Sequence, residues 1–148
     1  MNNGNNISDD DRTTGMGLWT DSKQMLSAAK LVLANPGMST SSPVYYLICH
    51  GIEVGLKAFL RAKGLTLSEL RNIGHNLDHA LGTAITLGFE DLCPLSAQDK
   101  IIIGHVNNYY KAKHFEYRVT GYVTLSPPEV LLDVAERILK SVAIAVRP

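Results

Sequence analysis

The spacing of apolar and polar positions along the chain predicts a bundle of α-helices. Apolar side chains recur every three to four positions in successive segments separated by Gly, Pro and Asn, as in helices that share one core. Ser, Thr and Pro precede several of these segments, and Gly follows others, which is typical of helix ends. We expect helices over 20–34, 43–63, 76–87 and 97–112, a last helix from about 126, and a short helical turn over 67–72.

The two remaining stretches have a different composition. Residues 115–125 are rich in β-branched and aromatic side chains around Thr120-Gly121, which predicts a small hairpin or an extended loop before the last helix. Residues 1–15 are rich in Asn, Asp and Gly, and we expect a disordered tail there. The predicted fold is therefore all-α, an up-and-down bundle of four to five helices in one domain over 16–148.

The helix over 43–63 carries a polar stripe on an otherwise apolar segment. Tyr46, His50, Glu53 and Lys57 follow one another at helical spacing and fall on one face. Charged groups in a buried helix are costly unless they are paired or used. Two interpretations follow: a satisfied structural network built on the Glu53–Lys57 pair, or a cleft that presents an acid, a base and a cation to a ligand.

A second candidate is the pair His75 and His79, four residues apart at the start of the next predicted helix. Histidines at this spacing can hold zinc, but spacing alone is a weak signal. A third ligand would have to come from Glu53 or His50. The sequence therefore predicts no metal site and no cofactor, and the simpler interpretation is that His75 caps its helix or bonds to the facing one.

A third candidate is a stretch of cations mixed with aromatic residues between the last two predicted helices. Aromatic faces stack on bases and cations contact phosphates, so this stretch is a candidate nucleotide patch. The alternative is a hairpin whose aromatic side chains pack on the bundle. Arg118 is the residue best suited to phosphate. The stretch comprises Lys111, Lys113, His114, Tyr117, Arg118 and Tyr122.

Charge and cysteine content bear on what the chain binds and on where in the cell it is located. The chain has 14 Lys and Arg against 14 Asp and Glu, which argues against non-specific binding of nucleic acid. Cys49 and Cys93 provide no disulfide framework, so we expect a reducing, cytoplasmic location. The N-terminal residues lack the apolar core of a signal peptide, and no apolar run is long enough for a membrane helix.

Four motifs follow one another over the middle of the chain: His50-Gly51-Ile52-Glu53, Leu56-Lys57-Ala58-Phe59-Leu60, Gly64 and Gly74-His75-Asn76-Leu77. Together they resemble the corresponding motifs of the HEPN family. The resemblance covers about residues 20–147, and the segment 109–122 is similar to the family's Arg-Tyr loop. It implies a helical bundle, frequent homodimers, association with nucleotides or RNA, and toxin–antitoxin settings.

One departure from the family bears on activity. HEPN ribonucleases carry an Arg followed, after four to six residues, by a His, which supply a phosphate clamp and a base. Here Arg71 and His75 are separated by only three residues, and they lie in an earlier part of the fold than that motif. The resemblance therefore implies a member that is non-catalytic or catalytic in another way.

These observations predict a small homodimeric module that binds a nucleotide or RNA, or has a regulatory role, without catalysis. One alternative is a metal-independent endoribonuclease, with His75 or His114 as base and Arg71 or Arg118 as clamp. Another is a structural partner of another protein, of the toxin–antitoxin type. The predicted ligand-binding residues are His50, Glu53, Lys57, His75, Tyr117 and Arg118.

Overall fold

The computed structural model describes residues 8–116 and 124–147, and within them it contains eight α-helices and no β-strand. The prediction of an all-α bundle is confirmed. Five helices are long, and three short ones bring the number above the predicted four to five. The helices are α1 (Asp9–Arg12), α2 (Gly15–Leu33), α3 (Ser42–Ala62), α4 (Leu67–Ile73), α5 (Leu77–Thr86), α6 (Phe89–Leu92), α7 (Ala97–Tyr110) and α8 (Pro128–Val146). The predicted hairpin or loop falls mainly on residues 117–123, outside the described residues.

Helix α3 is the central helix and packs against α2, α8, α5, α4 and α7. Two of its glycines bring neighbouring helices close. A Cβ atom at Gly51 would lie 2.7 Å from Cδ2 of Leu26, and one at Gly55 would lie 2.8 Å from Cδ1 of Leu139. Ser22, also on α2, donates a 2.6 Å hydrogen bond to the carbonyl of Gly51. These glycines therefore serve helix packing within the chain.

The helix ends follow local sequence signals. Thr66 with Glu69 and Ser96 with Asp99 form capping boxes at the starts of α4 and α7, as their spacing predicts. Helix α3 begins at Ser42, one residue before the predicted start at Pro43, with Ser41 at the N-cap position.

The N-terminal region differs from the predicted tail over residues 8–15. Residues 9–12 form α1, and α2 begins at Gly15 instead of near residue 20. The guanidinium of Arg61 donates hydrogen bonds to the carbonyls of Asp10 (2.6 Å) and Thr13 (2.8 Å). The carboxylate of Asp10 accepts a 2.7 Å bond from the backbone N–H of Leu67. Contacts with distant residues thus order a segment whose composition alone suggests disorder.

An ion pair fixes the start of α7 against α8. The guanidinium of Arg137 donates two hydrogen bonds to Asp99, of 2.9 and 2.7 Å. These bonds hold the pKa of Asp99 well below its usual range. The pair anchors the helix that carries Asn107 and Tyr110 toward α3 and α5. Among the described helices, none combines the length and apolar character needed to cross a membrane.

Candidate functional site

Glu53 is the centre of a polar cluster inside the bundle. The residue is only 3% exposed. Its Oε1 accepts 2.7 Å hydrogen bonds from the hydroxyl of Tyr110 and from Nδ1 of His75, and its Oε2 accepts a 3.1 Å bond from Lys57 Nζ. Burial raises the pKa of Glu53, but the bonds from these donors lower it by more, so the carboxyl stays ionised. We call His50, Glu53, Lys57, His75 and Tyr110 the Glu53 cluster.

Lys57 links Glu53 to the end of α4. Its Nζ lies one turn from Glu53 on α3 and also donates a 2.9 Å hydrogen bond to the carbonyl of Gly74. Gly74 has a φ of +63°, in the left-handed region that favours glycine. This turn places the next residue, His75, beside the carboxylate. The ammonium of Lys57 compensates the buried negative charge of Glu53.

His50 joins the cluster through Tyr110. Its Nδ1 lies 3.1 Å from the Tyr110 hydroxyl. Because that hydroxyl gives its one proton to Glu53, His50 Nδ1 must be the donor, and Nε2 of the neutral ring is then an acceptor. Burial lowers the pKa of His50, which favours this neutral ring. Tyr46 stacks on His50 with ring centroids 5.7 Å apart.

His75 is the most accessible member of the Glu53 cluster. Its side chain is 52% exposed although the carboxylate it contacts is buried. Nδ1 is engaged by Glu53, whereas Nε2 makes no hydrogen bond to any of the described residues. The rings of His75 and His50 have centroids 6.5 Å apart. The cluster thus presents two neighbouring imidazoles, one half-exposed, over a buried carboxylate.

Asn107 fixes the start of α5, directly after His75. It is fully buried, and its side-chain oxygen accepts a 2.8 Å hydrogen bond from the backbone N–H of Leu77. Its side-chain nitrogen donates to the side chains of Asn76 (3.1 Å) and Asp78 (3.2 Å). One buried amide on α7 therefore holds the segment that carries His75.

The structure brings four of the six predicted ligand-binding residues together: His50, Glu53, Lys57 and His75. The other two, Tyr117 and Arg118, lie outside the described residues. The i, i+4 relationship of His75 and His79 is not realised on one helix, because α5 begins only at Leu77. His79 is exposed and does not join the Glu53 cluster.

The described part of the basic and aromatic stretch is divided between the core and the surface. Phe115 stacks on Tyr45 with ring centroids 5.7 Å apart, and His114 lies edge-on to Tyr109 at 5.8 Å. The side chains at 111 and 113 are exposed lysines. Aromatic packing on the bundle and exposed cations therefore occur together in this segment.

Sequence reasoning missed two members of this region, Tyr110 and Asn107. Helical spacing held a usable signal, since both share a face of α7 with the buried apolar residues Ile103 and Val106. A buried asparagine and a tyrosine hydroxyl on that face need hydrogen-bond partners. Helical spacing does not reveal that Glu53 is the hydrogen-bond partner of Tyr110.

The chain was compared with protein-family models, curated proteins and solved structures, and none of them matches it.

Proposed function

We propose that this chain is a small helical module that binds a phosphate-bearing ligand, a nucleotide or an RNA end, at the Glu53 cluster. The observation that carries the proposal is the half-exposed imidazole of His75, held through Nδ1 by a buried carboxylate. A ring fixed in this way leaves Nε2 for a ligand. When it is protonated, Nε2–H is a charge-assisted donor to a phosphate oxygen.

The organisation of the cluster supports binding over a purely structural role. A purely structural network provides hydrogen-bond partners for its own buried groups, and it does not require an imidazole that is half-exposed to solvent. Here Glu53 is fully paired, yet both histidines keep a ring nitrogen without a partner among the described residues. The Glu53 side chain and its donors thus hold two ring edges in fixed positions, and fixed polar groups lower the entropic cost of binding.

Local cations supply the attraction to phosphate that the balanced total charge does not. Lys111 and Lys113 are exposed and directly follow Tyr110, a member of the cluster, at the end of α7. Each phosphate contact by such a cation makes affinity fall with salt. We assign Arg118 and Tyr117 to the same ligand, with the guanidinium on phosphate and the ring on a base.

The resemblance to HEPN domains supports the same proposal, through the motifs at His50–Glu53 and Gly74–Leu77. It further implies a homodimer and a toxin–antitoxin or RNA-processing setting. These two features stay predictions, as does the cytoplasmic location.

The proposal is tested by titration calorimetry with nucleoside mono-, di- and triphosphates in a buffer that contains a chelator. His75→Ala should weaken binding by at least about tenfold, the loss of one charge-assisted bond. His79→Ala is the matched control, because His79 is exposed nearby and outside the cluster. Equal affinity of both variants and the unaltered protein would reject His75 as a ligand contact.

A second candidate function is a metal-independent ribonuclease. The observation that favours it is the orientation of an accessible histidine by a carboxylate, the arrangement that prepares imidazoles for proton transfer. His50 and His75, with centroids 6.5 Å apart, form a potential base and acid pair. Products with a 2′,3′-cyclic phosphate, lost in both His50→Ala and His75→Ala, would support this activity. Intact RNA after prolonged incubation would exclude it.

A further inference from the structure

We infer that His50, Glu53 and His75 form a binding site for one divalent transition-metal ion, with Zn²⁺ the best-fitting ion. One ring nitrogen of each histidine and one carboxylate oxygen lie within 4.8 Å of one another. Two imidazoles and one carboxylate are the ligands of zinc sites that keep a position open for water or substrate. The ligand set differs from the His75–His79 pair that the sequence suggests, because it draws on the facing helix.

The backbone supports these three ligands in different ways. His50 and Glu53 are three residues apart on one face of α3, the most buried helix, so their relative positions are fixed. His75 precedes α5 and is half-exposed, so its ring can shift slightly once its hydrogen bond to Glu53 is exchanged for a bond to the ion. A rigid pair combined with an adjustable third ligand allows the three ligand atoms to reach the short distances that zinc requires.

The distances require only a small rearrangement. His75 Nδ1 and Glu53 Oε1 lie 2.7 Å apart, joined by a hydrogen bond. Zinc–ligand bonds of about 2.0–2.2 Å place neighbouring tetrahedral ligands roughly 3.4 Å apart. The ion would take the place of the proton on Nδ1, which the neutral ring would carry on Nε2 instead, and the ring would retreat by less than about 1 Å. Because a protonated ring has no free nitrogen for the ion, binding weakens as pH falls.

Residues around the three ligands would hold them in place. Tyr110 donates to Glu53 Oε1 and Lys57 donates to Oε2, so the carboxylate is oriented by groups that do not bind the ion. Such supporting bonds commonly change metal affinity by about 10–100-fold. The positive charge of Lys57 opposes the ion, so we expect weaker binding than at a comparable site without a lysine.

This inference deepens the proposed function, because the open position of the ion would accept a phosphate oxygen, but its evidence is the ligand geometry alone. The two are separable, since metal binding is measured without nucleotide, and nucleotide binding is measured both in chelator and with Zn²⁺ added. Metal binding without nucleotide binding in either condition would reject the proposed function and keep the metal site. Nucleotide binding in chelator without any metal binding would reject the metal site.

The test uses the whole 148-residue chain without a tag, stripped with chelator and titrated with Zn²⁺ by calorimetry and with Co²⁺ by visible absorption. The expected results are one ion per chain and the intense bands of four-coordinate Co²⁺. His75→Ala and His50→Ala should each weaken Zn²⁺ binding by at least about tenfold, while His79→Ala should not. Absence of binding, or equal weakening by His79→Ala and His75→Ala, would overturn the site. Circular dichroism verifies that each variant is folded. His75→Ala is the variant expected to affect folding least, because the His75 side chain is half-exposed.

Discussion

The carboxylate of Glu53 accepts a 2.7 Å hydrogen bond from the half-exposed ring of His75, which lies 22 residues further along the chain. Glu53 is buried on the central helix, and His75 is on the junction between α4 and α5. This bond couples the stability of the core to the position of an accessible imidazole. Substitutions at and around this bond therefore separate an effect on stability from an effect on the position of His75.

Loss of the Glu53 carboxylate should cost far more stability than loss of a surface carboxylate in the same local arrangement. Glu53→Ala leaves Lys57 without its buried partner and should lower the free energy of unfolding by about 3–5 kcal/mol. Asp133→Ala is the matched control, since Asp133 also pairs with a cation one turn away but has a 69% exposed side chain. It should cost no more than about 1 kcal/mol. Similar losses in urea denaturation would show that the Glu53 pair is not buried as described.

Stability should fall as pH is lowered, in two steps. Burial lowers the pKa of His50 from 6.5 in the folded protein. Below pH 6.5 the unfolded chain therefore binds a proton at His50 more readily than the folded chain does, which lowers stability. The pKa values of Glu53 and Asp99 are lowered from 4.5 and 3.8, so the contributions of both carboxylates are present above those pH values and are lost as pH falls through their folded-state pKa values. Urea denaturation at a series of pH values measures both. His50→Asn should flatten the first step and keep the second, and an unchanged first step would contradict the burial of His50.

Asn107 should control both the stability of α5 and the position of His75. Asn107→Ala leaves the N–H of Leu77 without its partner and should lower the free energy of unfolding by about 1–3 kcal/mol. It should also weaken ligand binding, although Asn107 is fully buried. The control is Asn108→Ala at an exposed position of the same helix. If both variants bind the ligand equally well, Asn107 does not position His75.

Alanine should have opposite effects at two helical glycines. Gly51→Ala places a Cβ 2.7 Å from Leu26 and should destabilise the protein by about 1–3 kcal/mol. Gly82→Ala, on α5, meets no atom within 4 Å and should stabilise it by about 0.4–1 kcal/mol. Thermal denaturation of the two variants provides the comparison. A stabilising Gly51→Ala would mean that α2 and α3 are not in close contact.

Much of the fold could be predicted from local signals. The capping boxes at Thr66 and Ser96 depend on residues three positions away, so the sequence defines them directly. The face shared by His50, Glu53 and Lys57 follows from helical periodicity. The N-terminal segment combines both kinds of contact: α1 has a local capping box at Ser8 and Asp11, but it is held to the bundle by Arg61, whose hydrogen bonds reach 48 and 51 residues back along the chain. Local composition carries no information about such a partner.

The candidate site was predictable only in part for the same reason. The polar stripe on α3 identified Glu53 as a residue needing a partner, but two of its three donors come from other helices or their junctions. Tyr110 is 57 residues away and His75 is 22 residues away. These contacts depend on how α5 and α7 pack on α3, which a single sequence does not specify.

The most direct test of binding at the Glu53 cluster uses a short, end-labelled single-stranded RNA with chelator present, reading retention and cleavage on the same sample. The unaltered protein and His79→Ala should both retain the RNA without cleaving it, and His75→Ala should release it. Cleavage that depends on His75 would replace the binding module with the ribonuclease. Retention that is absent, or equal in all three proteins, would contradict the account.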